Sequence, residues 1–299
     1  MTARPHRPLL ALGLRLAAAL LLGVMFVFVK LAAESGAHLI EILVWRQGVA
    51  IPLLLGWMWL ARRGELLRTR RLWVHGRRAL LGLASMSLLF AATAMLPLAE
   101  LMTLTFVGPL FAVILSAILL GERVGPWRWG AVALGFVGVI VVAQPSGQSL
   151  PAIGVAMATG AALLHGLINV QVRDLGRTEH PLTTVLLFSV FSTVVLAPLL
   201  VVFGRAHPPA VWLYLFGSGL FGFLGQVGLT SSLRFGQVAS VTVMDYTSLI
   251  WSTLFGWLVW SHLPPLTTWL GAPLIVAAGL VVLWREHKLA LDRAKELTV

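Results

Sequence analysis

The chain has no cysteine, which excludes both a disulfide framework and a thiolate metal site. Charge is scarce as well. Asp, Glu, Lys and Arg make up 11% of the residues, whereas a soluble domain carries roughly a quarter. With 59% hydrophobic residues and a mean hydropathy of +0.92, a water-soluble body is ruled out. No hydrophilic segment is long enough to fold as a separate catalytic or regulatory domain. The sequence also lacks a Walker-type glycine loop, a His-Glu-x-x-His pair, a Gly-x-Ser-x-Gly turn and clustered acids. Direct ATP drive and enzyme chemistry therefore have no residues to carry them, and no cofactor or metal is expected. A channel would show a pore loop or a ring of charge supplied by several subunits, and neither is present.

What the chain does have is apolar runs of bilayer length. Ten stretches of about 20 residues are each long enough to cross a membrane. They lie at approximately 9–31, 38–60, 79–96, 99–120, 127–144, 151–171, 182–203, 211–233, 237–260 and 266–284. The predicted fold class is an all-α membrane protein. The loops are short apart from Ala61 to Arg78, which forces successive helices to pack as antiparallel neighbours. The first run is too long for a signal-peptide core and is expected to be retained.

The formal charge of +11 would suggest nucleic acid in a soluble chain. Here the positions of the charges give a different reading. Eighteen of the 22 Lys and Arg residues fall on the side of the N-terminus and of the Ala61–Arg78 loop. Only Lys30 and Arg205 fall on the other side, while Arg15 and Arg46 lie within spans. This asymmetry predicts cytoplasmic N- and C-termini in a bacterial inner membrane. The basic face also contacts anionic lipid, and no nucleic-acid partner is expected.

The ten stretches divide into two halves of five that close in similar sequence. Ala99-Glu100-Leu101, Gly121-Glu122-Arg123, Gly130-Ala131 and Gly138 recur as Ala239-Ser240-Val241, Ser261-His262-Leu263, Gly271-Ala272 and Gly279. The predicted repeats are 1–147 and 148–286, divided near Gln144-Pro145-Ser146-Gly147, with 287–299 as a cytoplasmic tail. An odd number of spans per repeat inverts the second copy. Inverted repeats around a midplane site are the architecture of secondary transporters. Gly219, Gly222, Gly225 and Gly228 in span eight, with Gly130, Gly135 and Gly138 in span five, form small-residue stripes. Such stripes serve either as close static packing or as surfaces that slide during gating. Pro52, Pro109, Pro198 and Pro273 lie inside spans, where each removes a backbone hydrogen bond and permits a kink.

Polar groups at membrane depth are expensive and mark function or internal pairing. Asp245 lies about 12 Å into span nine, next to Tyr246, with Thr242 and Ser248 within a turn. It is either a cavity carboxylate that binds a cationic group or a proton, or a structural acid tied to another span. Arg46 in span two could bind a substrate carboxylate or pair with Glu41, Glu100 or Asp245. Lys30 and Arg15 are expected to snorkel to opposite interfaces. His165 and Asn169 share one face of span six, and Ser218, Gly222, Gln226 and Thr230 line span eight. Trp251 could stack on a flat solute. Trp57, Trp59, Trp127, Trp129 and Trp284 sit near span ends as interfacial anchors.

Together these residues resemble the EamA-type permeases of the drug/metabolite transporter superfamily. The resemblance rests on Lys30 late in span one, Arg46 in span two, Gly108-Pro109, Leu120-Gly121-Glu122-Arg123, and the Gly130/Gly138 and Gly271/Gly279 pairs. The chain departs from the family pattern at Ser261-His262, where Gly-Glu is common, and at Leu249 in place of the first copy's Pro109. The resemblance implies a basket of ten helices around a central cavity lined by spans 1, 3, 4, 6, 8 and 9. It makes Asp245, Tyr246, Gln226, Asn169 and Thr105 wall candidates. It further implies alternating access for a small organic metabolite, driven by a substrate gradient or protons. The implied activity is an exporter of aromatic or other amino acids. The alternatives are an importer of a nucleoside-, vitamin- or S-adenosylmethionine-like solute, or a drug exporter. A monomer is expected.

Overall fold

The structure is a computed structural model that describes residues 8–67, 69, 71–120, 124–143, 150–175, 179–235 and 243–296. Thr242, the Gly121-Glu122-Arg123 turn and the Gln144–Gly147 junction lie outside the described residues. Among the described residues the elements are helical throughout. Eight helices are long and apolar enough to cross a membrane, and Ala152–Ile168 is a shorter apolar one. With Ser248–Trp260 they make ten segments in the predicted order. Large apolar side chains such as Trp59, Leu60, Ile118, Val201 and Val202 are largely exposed on the outside of the bundle. Lipid is the solvent that suits them.

Several spans bend where a proline removes a donor. Pro52 cannot bond the carbonyl of Gly48, and span two breaks into Leu39–Gly48 and Ala50–Leu60. Pro109 cannot bond the carbonyl of Thr105, and span four breaks into Leu98–Thr105 and Gly108–Leu120. Pro198 places a 3₁₀ turn at Ala197–Leu199, between span seven (Pro181–Leu196) and Leu200–Phe203. Span ten absorbs Pro273 and runs unbroken over Leu266–Glu296, so most of the predicted tail is helix. Span three starts earlier than the hydropathy suggests. It covers Leu72–Met95 and takes Arg77 and Arg78 out of the expected loop. The other spans are Pro8–Glu34 (one), Pro126–Ala143 (five), Ala152–Leu175 (six) and Pro209–Phe235 (eight). Span nine enters through the 3₁₀ segment Val243–Thr247 before Ser248–Trp260, and Ser261 ends it in the left-handed conformation (φ 53°).

The packing obeys an internal two-fold relation. Span one lies along span eight, and its counterpart, span six, lies along span three. Span two meets eight as seven meets three, span four meets six as nine meets one, and five packs against its own counterpart, ten. Each contact is the repeat image of another, or of itself. Two contact types show how the sequence achieves this. The glycine stripe of span eight seats span one, because side chains at Gly225 and Gly228 would meet Leu22 and Ala18. Gly138 and Gly271 bring spans five and ten together so closely that a Cβ on either would press the other's carbonyl oxygen. The stripes are therefore close packing surfaces in this conformation, except at Gly130, where a Cβ would meet no atom within 4 Å.

Candidate solute cavity

The two halves enclose a cavity of about 390 Å³, within the range that holds a small organic ligand. Spans one, three, four, six, eight and nine supply the lining, with Leu283 of span ten added at one end. Most of the wall is apolar: Ala19, Leu22 and Phe26 of span one face Leu89, Leu98 and Met102 of spans three and four. Polar groups collect around Asp245, Tyr246 and Ser248 at the entry to span nine, with Arg15 and His165 opposite. The breaks in spans four and nine both open onto this space. In the alignment that pairs Ala99-Glu100-Leu101 with Ala239-Ser240-Val241, Phe106 and Tyr246 are counterparts. Their rings meet at the breaks, with centroids 4.6 Å apart and planes tilted 32°. The result is a continuous aromatic panel in the wall.

Asp245 is held by Arg15. Nε and Nη2 of the guanidinium donate to the two carboxylate oxygens at 2.5 and 2.6 Å. Nη1 adds Leu229 O at 3.3 Å and Ser232 Oγ at 3.4 Å on span eight. Arg15 is 8% exposed, so it does not snorkel. It turns inward because a carboxylate at membrane depth is the stronger partner. The Asp245 side chain keeps 31% exposure, and that open side faces the cavity. The fork-to-carboxylate arrangement neutralises both charges and leaves the polar end with donors and acceptors but no net charge.

Lys30 does not snorkel either. Its Nζ is buried and donates to the carbonyls of Thr93 (3.1 Å) and Leu96 (2.9 Å) at the end of span three. It lies 3.6 Å from Glu34 and 5.7 Å over the Trp260 ring, and Trp260 Nε1 donates to Glu34 at 2.8 Å. Glu100 is nearly fully buried beside this cluster, with His262 Nε2 at 3.3 Å and Thr268 Oγ1 at 3.4 Å. The departure at Ser261-His262 thus supplies an imidazole to the first repeat's glutamate. These contacts tie spans one, three, four, nine and ten at the end opposite Arg15.

Arg46 meets none of the three acids expected for it. It is buried, its Nη1 donates to Gln47 Oε1 at 2.8 Å, and its Nε has no hydrogen-bond partner among the described residues. Glu41 instead holds the loop before span eight, as set out in the Discussion. Of the other expected wall residues, Thr105, His165, Asp245 and Tyr246 line the cavity. Ser218 does not: it is fully buried, with Oγ on Leu215 O. Gln226 is half-buried and is not among the lining residues. Trp251 lies behind the wall, its ring 6.4 Å from Phe255, and the side chain of Asn169 is outside the description. Sequence reasoning missed Arg15 as a site residue, and also Phe106. The repeat alignment carried a signal for Phe106, since it sets an aromatic opposite Tyr246.

A ten-segment bundle with two-fold packing around a central cavity is the build of a membrane transporter of small molecules. The EamA-like transporter family matches this chain twice, at residues 9–144 and 152–284. The protein belongs to that family, within the drug/metabolite transporter superfamily, and it is a membrane transporter and not an enzyme. It is 31% identical to a riboflavin transporter of Rhizobium johnstonii over 74% of each chain. It is 28% identical to a riboflavin transporter of Vibrio cholerae over 82% of this chain and 83% of that one. A pseudopaline exporter of Pseudomonas aeruginosa is 28% identical over 69% and 72%. A solved structure, described only as a crystal structure of a protein, shares the fold at TM-score 0.60 and 24% identity. It covers 93% of this chain and 98% of its own.

Proposed function

We propose that this protein carries a flat, largely uncharged heteroaromatic metabolite of the riboflavin kind across a bacterial inner membrane, with both termini in the cytoplasm. The observation that carries this reading is the make-up of the cavity. An aromatic panel, Phe106 with Tyr246, stands in an apolar wall and leads to one polar end whose charges already neutralise each other. A planar ring system gains from stacking on such a panel. The polar edge of a flavin-like ring, with carbonyl and N–H groups side by side, matches a guanidinium–carboxylate pair that offers a donor and an acceptor together. The names of the two riboflavin-transporting relatives support the same class. An amino-acid exporter, as the family resemblance first implied, would need separate charges for the α-amino and α-carboxylate groups. Here Arg15 and Asp245 satisfy each other, so a zwitterion would have to break the pair. Solute moves when the halves rock around the cavity, driven by its gradient or by protons.

The test is counterflow in proteoliposomes preloaded with riboflavin or with pooled tryptophan, phenylalanine and threonine. Saturable riboflavin counterflow, unaffected by excess amino acids, is the expected outcome. Counterflow with amino acids alone would replace this reading with the exporter.

A further inference from the structure

We infer that Gly279 of span ten is a specificity-determining position that sets the place of the Tyr246 ring, and with it the width of the cavity. The inference rests on the reading that the solute lies in this cavity. Span ten otherwise packs outward against span five: Ile275 and Ala278 are fully buried in that contact, and Gly271 is pressed to Gly138. Gly279, like Leu283 one turn on, instead faces the cavity side. A Cβ at Gly279 would overlap the Tyr246 hydroxyl and crowd its Cζ at 3.3 Å, and the third nearest atom, Cε1 of the same ring, is already 3.9 Å away. The space a side chain at Gly279 would need is therefore taken first by the phenol. Its repeat counterpart, Gly138, has a different task, since a Cβ there would meet Ile275, the carbonyl of Gly271 and Leu274.

The ring has little freedom to yield. Its backbone lies in the 3₁₀ segment Val243–Thr247, pinned by Arg15 on Asp245 and by Thr247 Oγ1 on Met244 O (2.7 Å). Phe106 lies against the ring at 4.6 Å between centroids. A methyl group on span ten would push the phenol off Gly279 and into the solute space, breaking the aromatic panel. Removing the hydroxyl would return the room that the methyl takes. The two positions should thus be coupled through the solute's fit, as contacting residues are in a double-mutant cycle.

The experiment compares wild type, Gly279→Ala, Tyr246→Phe and the double variant in riboflavin counterflow. Gly279→Ala is expected to raise the half-saturation concentration about tenfold, the scale set by one misplaced methyl group in a binding pocket, while the maximal rate stays close to wild type. Tyr246→Phe, a cavity residue itself, sets its own reference value, and the double variant should return to that value rather than add the Gly279→Ala loss to it. An unchanged half-saturation concentration in Gly279→Ala, or a double variant no better than it, overturns the inference. Wild-type protein that carries no riboflavin would sink the proposed solute instead. In that case the same four proteins, each with Ser248→Cys added in the cavity wall, are compared by maleimide labelling. A displaced ring slows labelling in Gly279→Ala and the double variant recovers it. Equal rates in all four would overturn the inference on this readout too.

Discussion

At the scale of single residues, the Arg15–Asp245 pair decides the chemistry of the cavity. Five guanidinium N–H groups in a planar fork allow Arg15 to grip both carboxylate oxygens while still reaching Leu229 O and Ser232 Oγ. A lysine offers a single point charge and cannot span these acceptors. Arg15→Lys is therefore expected to fold but to lose at least about tenfold in initial transport rate, and Asp245→Asn to lose as much. Removing one partner leaves the other charge uncompensated at depth, which costs about 3 kcal/mol or more, so Asp245→Asn should also unfold at a lower temperature. Combining Arg15→Gln with Asp245→Asn removes both charges and should restore thermal stability without restoring transport. Uptake rate and unfolding midpoint, measured on the same preparations, check this. A lysine variant with wild-type transport would show that the fork has no role. The pair was invisible in the sequence, because its members lie 230 residues apart. Asp245 stood out through its depth, but Arg15 looked like one of many basic residues near the arginine-rich face.

At the scale of elements, the two faces of the molecule carry matching clasps. Span two starts at the N-cap His38, whose side chain accepts from Ile40 N while Glu41 accepts from His38 N at 2.7 Å. The same Glu41 also accepts from Arg205 N (3.0 Å) and lies 3.0 Å from His207 Nε2, so it binds the loop between spans seven and eight. Span seven starts at the N-cap His180, which accepts from Leu182 N. Beside it Glu179 accepts from Thr69 Oγ1 at 2.8 Å and lies 3.8 Å from His75 Nε2, so it binds the loop between spans two and three. The two clasps bind repeat-related loops, but from different positions: Glu41 lies three residues after its N-cap and Glu179 one residue before its own. Glu41 holds two backbone donors and an imidazole in a buried place, so Glu41→Gln should cost about 2 kcal/mol. Glu179→Gln, whose carboxylate takes the Thr69 hydroxyl with His75 farther off at 3.8 Å among the described residues, should cost half as much or less. Unfolding midpoints in detergent would then fall in that order, and a larger loss for Glu179→Gln would contradict the asymmetry. The spans themselves were legible, because hydropathy over bilayer length leaves few alternatives, and Pro52, Pro109 and Pro198 marked real breaks. The clasps were not legible. Their members are ordinary polar residues until the two-fold packing brings loop and helix end together.

At the scale of the whole molecule, the repeat explains why the cavity lies where it does. Equivalent breaks in spans four and nine bring Phe106 and Tyr246 together at the centre, and the segments on either side tie off the two ends in different ways. One end is held by Arg15 and Asp245 at the start of span nine. The other is held by Lys30, Glu34, Trp260, Glu100 and His262. The two ties lie at opposite ends of the solute space, and the proposed alternating access would open one of them at a time. The halves were visible in sequence as matching glycines and turns. Which polar residues face the cavity was only partly visible, because helical spacing puts Ser218 and Gln226 on one line without telling which way it faces, and neither lines the cavity.

The natural absence of cysteine makes the most direct measurement possible. A single Thr105→Cys in the cavity wall, with Ser192→Cys at a buried position of span seven as the control, would be treated with a membrane-impermeant maleimide from each face of oriented vesicles. If the cavity is the solute path, Thr105→Cys is labelled from both faces, riboflavin slows both reactions, and Ser192→Cys stays unlabelled. Labelling from one face only, or labelling indifferent to riboflavin, would contradict a carrier that presents this cavity and this solute class to both sides in turn.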